Sequence, residues 1–175
     1  AELTEALDHV NGHLSIYQLT IEPGTAFHTD HRLGRFKTPD EEKAAAFFDV
    51  TQEVLEAAGM PGYEVSNHAV PGQESRHNMV YWRYRDYVGI GPGAHGRVTV
   101  EGTKRAQRRF RLPEKWLDQV TRAGHGTEED VPLEPQDRAA ECLMMGLRLT
   151  EGVPLQRLEE EGGKDALPDP DRIAR

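Results

Sequence analysis

Residues 13–21, HLSIYQLTI, restrict the fold more than any other stretch of the chain. The run is rich in aliphatic, β-branched and aromatic residues and is broken by Pro23-Gly24-Thr25, so it reads as a buried strand. Alternation puts Leu14, Ile16, Gln18 and Thr20 on one face and Ser15, Tyr17, Leu19 and Ile21 on the other. The first face passes from apolar to polar towards the C-terminal end. A barrel strand has this pattern, its lower half filling a core and its upper half lining a site. An ordinary strand running out into solvent gives the same pattern, and the residues alone leave both readings open.

The elements around this strand alternate in type. Leu3, Leu7 and Val10 mark a helix face ahead of an Asn11-Gly12 stop. The polar stretch after Pro23 holds His28, His31, Arg32 and Arg35 without helical period, and reads as a solvated loop rather than a metal site. Thr38 as N-cap, Pro39 at the first position and Glu41 closing a capping box predict a helix. Phe47, Val50, Thr51, Val54, Leu55 and Ala58 form its apolar stripe and Gly59 is its stop. Residues 63–66 and 88–90 read as short strands. Strand, helix and strand in turn favour an α/β fold with parallel pairing.

The second half has a different character. Residues 98–100 read as a strand turned by Glu101-Gly102, followed by a basic run of Lys104, Arg105, Arg108, Arg109 and Arg111. With 30 acidic against 21 basic residues and a net charge of −9, that run is a solvated face rather than a nucleic-acid footprint. Pro113 opens a helix with Trp116, Leu117 and Val120 inward and Gly124 as its stop, and the acidic residues 124–132 read as a linker. Residues 135–149 are predicted helical, with Ala139, Ala140, Leu143, Met144 and Leu147 apolar and the Met144-Met145 pair filling a core. A short helix follows from Pro154 to Gly162-Gly163. No stretch approaches the ~20 apolar residues of a membrane span. The single cysteine, Cys142, allows no internal disulfide, fits the reducing cytoplasm, and is too few for an iron–sulfur cluster.

Two segments have the residue types for chemistry. Residues 66–84, SNHAVPGQESRHNMVYWRY, contain His77, Asn78 and Tyr81, and on a helical turn His77 and Tyr81 share a face. A neutral imidazole binds iron and aromatics flank a flat macrocycle. The alternative is a hydrogen-bonded histidine among core aromatics. Residues 87–96, YVGIGPGAHG, carry four glycines and one proline after a strand, without the residues of a Walker loop or a dinucleotide fingerprint. His95 in this turn either meets a ligand or caps the turn.

The strings HLSIYQLTIEPGTAF, YEVSNHA, ESRHNMVYWRYRDYVGIGPGAHGR and ECLMMGLRLTEGV, in this order, resemble the radical S-adenosylmethionine family that includes oxygen-independent coproporphyrinogen III oxidase, and most closely its heme-chaperone branch. The resemblance implies an α/β fold: the last strands and helices of a partial (βα)6 barrel, residues 1–100, with a connecting helix and linker, 101–130, and part of a C-terminal helical domain, 131–175. It also implies that the chain begins after most barrel strands and ends short of the helical domain's usual end. The family's cofactors are a [4Fe–4S] cluster on a CxxxCxxC motif, which this chain does not contain, and S-adenosylmethionine. Thr20 and His95 fall where the family meets S-adenosylmethionine. His77-Asn78-Met79-Val80-Tyr81 matches the branch's HNxxY heme motif, with His77 the expected iron ligand. The implied function is heme binding and delivery to heme-accepting proteins in the cytoplasm. The alternatives are decarboxylation of coproporphyrinogen III, with Arg76 and Arg83 on its propionates, and an inert fragment. Enzymatic status stays open. An open barrel edge exposing Leu14 and Ile16 is expected to drive self-association.

Overall fold

The computed structural model describes residues 2–168. The chain divides into two compact units that meet in sequence between Glu74 and Ser75. The α/β class holds, but the expected parallel pairing does not. Both sheets among the described residues are three-stranded and antiparallel.

The first unit contains α1 (Glu2–Leu7), β1 (His13–Ser15), α2 (Ala26–Arg32), α3 (Glu41–Ala57), β2 (Gly62–Glu64) and β3 (Asn67–Ala69), with strand order β1-β3-β2. β2 and β3 form a hairpin turned at Val65 and Ser66, a pairing the sequence reading of a single strand over 63–66 did not anticipate. The strand expected over 13–21 stops at Ser15. Leu14 pairs with His68 and Ser15 with Asn67, and one further bond, Ile16 N–H to the Ser66 carbonyl at 2.8 Å, closes the ladder. Beyond that the partner strand has already turned, so residues 17–21 have no backbone to pair with. Tyr17 is 74% exposed, whereas Leu14 and Ile16, expected to be bare, are half-buried.

Capping chemistry explains two further differences. The stretch expected as a loop forms α2, because the Thr25 hydroxyl accepts the His28 N–H at 3.1 Å. The N-cap of α3 is Asp40, whose carboxylate accepts the Lys43 N–H at 2.9 Å, rather than Thr38. A carboxylate beside the first turn also complements the helix dipole. Gly59, at φ 74°, ends the helix as expected. Of the predicted apolar stripe only Leu55 is fully buried; Phe47 and Val50 are half exposed.

The second unit holds α4 (Arg76–Trp82), β4 (His95–Val100), β5 (Thr103–Arg109), α5 (Pro113–Ala123), β6 (Thr127–Pro132), α6 (Pro135–Gly146) and α7 (Leu155–Gly162), with a 3-10 turn at Lys164–Ala166. The sheet order is β4-β5-β6. Glu101 and Gly102 turn β4 into β5 with φ of 50° and 78°, the positive pair whose twist matches a two-residue hairpin. The expected strand over 88–90 is absent. Only Tyr87 pairs, as a single bridge to Arg97, and Ile90 is 85% exposed.

The expected linker at 124–132 is largely β6, and charge explains its place. Its acids lie across from the basic run on β5: Arg105 donates to Asp130 at 2.7 Å and Arg108 meets Glu129 at 3.2 Å. Opposite charges across a ladder favour that pairing. The basic run is therefore no simple solvated face, and Lys104 is buried. α5 runs from Pro113 to the left-handed Gly124 as predicted, with Trp116 against Gly126 but Leu117 exposed. α6 is rotated from the predicted face. Ala139, Cys142 and Gly146 are buried, and Leu149 beyond the helix with them, while Ala140, Met144 and Leu147 face outward. Gly146 decides this: a Cβ there would lie 2.4 Å from Val153 Cγ2. The helical tail expected over 131–175 is described to residue 168, and 169–175 lie outside the described residues.

Candidate functional site

The HNxxY residues sit on α4, a seven-residue helix. Ser75 starts it by accepting the Asn78 N–H on its hydroxyl at 3.3 Å. This cap sets the phase of the helix and brings His77 and Tyr81 onto one face, as the i, i+4 spacing predicts. His77 Nε2 and Tyr81 Oη are 3.1 Å apart, and the rings meet edge to face at 4.8 Å between centroids. His77 is exposed, while Asn78 and Tyr81 are half-buried. Asn78 is thus placed by its backbone in the first turn.

Tyr81 is braced from behind. Its ring meets Tyr87 edge to face at 4.5 Å. Tyr87 is fixed in turn, donating its N–H to the Arg97 carbonyl at 2.7 Å and accepting the Arg97 N–H at 2.9 Å. The Arg97 guanidinium then grips Glu141 on α6 with two bonds of 2.8 and 2.6 Å, and Tyr84 donates its hydroxyl to the same carboxylate at 2.6 Å. The titration properties follow from this packing. Burial pushes the Tyr84 and Tyr87 phenols up, and for Tyr84 the Glu141 carboxylate adds to the effect. Burial alone would raise Glu141, but the bonds from Arg97 and Tyr84 outweigh it and hold the carboxyl below the usual glutamate range. The carboxylate hydrogen bond raises Arg97 further.

The glycine-rich turn has a packing reason for its glycines. A Cβ at Gly89 would lie 2.2 Å from the His95 carbonyl oxygen, so only glycine lets residues 87–89 lie against β4. His95 opens β4 opposite Arg108 with an exposed side chain, two residues along the strand from Arg97. Thr20 belongs to the first unit, in the irregular stretch after β1, and is exposed. α4 and the turn before β4 come together through Tyr81 and Tyr87. Thr20 and His95 belong to different units.

Two features escaped the sequence reading. In the first unit the YEVSNHA string makes a buried polar cluster. Glu64, Asn67 and His68 are all below 5% exposed. The Glu64 carboxylate accepts from the Ser66 N–H and hydroxyl, each at 2.9 Å, and from the Asn67 side-chain amide, while Ser15 donates to Asn67 Oδ1. Desolvation lowers the His68 pKa against the opposing pull of the Glu64 carboxylate. A Glu followed three residues on by Asn, within a hairpin, was the available signal. In the second unit a cavity of about 980 Å³ opens beside the end of α4, with Trp82, Tyr84, Lys104, Cys142, Leu149 and Glu161 in its wall. Lys104 and Glu161 in this wall form an ion pair of 2.9 Å.

The donor set at α4 suits iron. It offers an exposed imidazole with Nε2 engaged by the hydroxyl of the neighbouring Tyr81. Cys142 is a different case: it is 2% exposed and burial pushes its thiol up, the opposite of a ligating thiolate.

Comparison with known proteins gives the context. The HemN C-terminal domain family matches residues 133–172. The mouse protein named radical S-adenosyl methionine domain-containing protein 1, mitochondrial, is 41% identical over 163 residues, 91% of this chain and 37% of its own length. Heme chaperone HemW of Escherichia coli is 36% identical over 154 residues, 87% of this chain and 38% of its own. HemW of Bacillus subtilis is 33% identical over 152 residues, 87% of this chain and 39% of its own. The chain thus spans a little over a third of the length of these relatives. The solved structure of coproporphyrinogen III oxidase (HemN) from Escherichia coli, described as a radical SAM enzyme, superposes with a TM-score of 0.66 over 91% of this chain and 38% of that one, at 15% identity. That likeness is one of fold.

Proposed function

The chain belongs, over the stretch it shares with them, to the radical S-adenosyl methionine family of HemN, HemW and radical S-adenosyl methionine domain-containing protein 1, and from that premise we propose that its protein binds heme at α4 and passes it to acceptor proteins. The observation that carries the reading is the exposed His77 imidazole held against Tyr81 at 3.1 Å on a capped helical turn. An exposed site suits delivery. A heme buried on all sides releases slowly, whereas one held at the surface by a single imidazole stays open to attack by the acceptor's own ligand.

Each residue has a part in this reading. His77 ligates the iron, Tyr81 flanks the macrocycle and orients His77, and Asn78, the next residue in the first turn of α4, is assigned to the same heme motif. Thr20 in the first unit and His95 in the second are each assigned separately to S-adenosylmethionine contact on the resemblance of their strings; both are exposed, and the glycine turn positions His95. The radical S-adenosylmethionine family uses a [4Fe–4S] cluster to open S-adenosylmethionine. The one cysteine of this chain is buried and does not fit that group, so no step here runs through it. The setting we assign is the cytoplasm, in keeping with that lone thiol.

A hemin titration of the wild type and His77→Ala, followed by transfer to apomyoglobin, tests the proposal. Wild type is expected to shift the Soret band and hand the heme on, and His77→Ala to bind more weakly with an altered spectrum. Identical affinity and spectra for the two proteins remove His77 from the role. Anaerobic incubation of the protein with S-adenosylmethionine, a reductant and coproporphyrinogen III is expected to yield no protoporphyrinogen; its appearance would replace delivery with decarboxylation.

A further inference from the structure

We infer that Tyr81 is a positioning residue that holds the His77 ring in its Nε2-protonated tautomer, so that Nδ1 is the nitrogen presented to iron; this rests on the heme reading of α4. The two side chains meet through Nε2 and Oη at 3.1 Å. A metal ion at Nε2 would need the same lone-pair direction that the phenol oxygen occupies. With the pair intact, only Nδ1 is open, and His77 is exposed. A metal-bound imidazole typically donates its other N–H to an outer acceptor, which fixes the tautomer and raises ligand basicity. Here Tyr81 Oη is that acceptor.

Position in the helix makes Nδ1 ligation sterically open. Nδ1 is the ring nitrogen nearer the backbone, and in mid-helix the preceding turn crowds it. His77 is the second residue of α4, with Ser75 as its cap, so no helical turn precedes it. Helical side chains lean towards the N-terminus, where no earlier turn of α4 stands.

The phenol is also fixed well enough to hold a ring in place. Tyr81 rests on Tyr87 at 4.5 Å. Tyr87 is bonded in both directions to the Arg97 backbone, and Arg97 is clamped to Glu141 on α6. Four successive contacts therefore run from the imidazole to the packed helix of the unit.

The test has two arms. Long-range 1H–15N spectra of the heme-free protein read the His77 tautomer directly. Protonation at Nε2 is expected in the wild type, and protonation at Nδ1 overturns the inference. In the second arm, Tyr81→Phe keeps the ring on Tyr87 and removes the acceptor. Ferric heme affinity is expected to fall by roughly 10–100-fold, as for loss of an outer-shell partner, with a changed electron paramagnetic resonance spectrum of the ferric iron. Wild-type affinity and an unchanged iron spectrum in Tyr81→Phe overturn the inference while leaving heme binding in place. A wild-type protein that does not perturb the hemin spectrum overturns the heme reading itself, and this inference with it.

Discussion

Glu161→Leu probes the packing on which α4 and its surroundings depend. The Glu161 carboxylate stands 2.9 Å from the Lys104 ammonium, with the two side chains 9% and 6% exposed. Lys104 also donates to the Tyr84 carbonyl at 3.0 Å and sits 4.0 Å from the Tyr84 ring centroid. Removing one member of a buried pair leaves an uncompensated charge, at a loss of ~3–5 kcal/mol. Asp86, 3.8 Å from the ammonium and more exposed, retains part of the countercharge. The expected loss is therefore at the lower end, about 3 kcal/mol. At about 4–8 °C per kcal/mol for a unit of this size, Tm falls by about 12–24 °C. Lys104→Met together with Glu161→Leu removes the stranded charge and is expected to recover most of the loss, because apolar residues of similar volume replace a buried pair with little penalty. Both tryptophans, Trp82 and Trp116, lie in the second unit, so urea unfolding followed by their fluorescence reads this unit alone. A single-variant loss below about 1 kcal/mol, or a double variant no more stable than the single one, refutes the reasoning.

Three further outcomes are expected. Gly89→Ala pushes residues 87–89 off β4, because its Cβ would lie 2.2 Å from the His95 carbonyl oxygen; hydrogen exchange at the Tyr87 and Arg97 amides should accelerate, and unchanged protection would contradict the close-approach account. The folded-state pKa of Glu141 lies below its ordinary 4.5, so its contribution to stability is present above that value and is lost as pH falls through the lower folded value. Urea midpoints measured down through this acid range should show the loss in wild type and not in Glu141→Gln, and parallel curves for the two would count against it. Asn67→Leu strips a donor from the buried Glu64 carboxylate and should destabilise the first unit by about 1–3 kcal/mol, read by thermal unfolding followed by circular dichroism; a neutral result would mean that the cluster is hydrated or dispensable.

Local signals in the sequence translated directly into structure. Pro113 and Gly124 bound α5, Glu101-Gly102 turns the hairpin, and the i, i+4 spacing of His77 and Tyr81 makes them neighbours. Each of these is decided within a few residues. Features set by distant partners were not legible. β1 ends at Ser15 because β3 turns away at Ser66, which no pattern inside HLSIYQLTI reveals. The acidic stretch at 127–132 looked like a linker because its partner is the basic strand some twenty residues earlier. The buried face of α6 depends on Val153 and Gly146 meeting, not on which of its residues are apolar. At the candidate site, His77 and Tyr81 could be paired from spacing, but the brace through Tyr87, Arg97 and Glu141 spans more than fifty residues and needed the fold.

β6 has a consequence for how the molecule behaves in a crowd. It is the outer strand of its sheet, nearly all exposed, with Glu128, Glu129 and Asp130 in sequence and a closing Pro132 that has no N–H to give. An outer strand ordinarily invites a second chain to extend the sheet. Two copies of this strand laid side by side would bring six carboxylates together, countered only by the Arg105 and Arg108 guanidiniums of each copy's own β5. The arrangement that recruits β6 to the basic strand within its own unit thus also repels a neighbour's β6, and neutralising those acids is expected to convert a quiet border into an adhesive one, detectable as a rise in sedimentation coefficient with concentration.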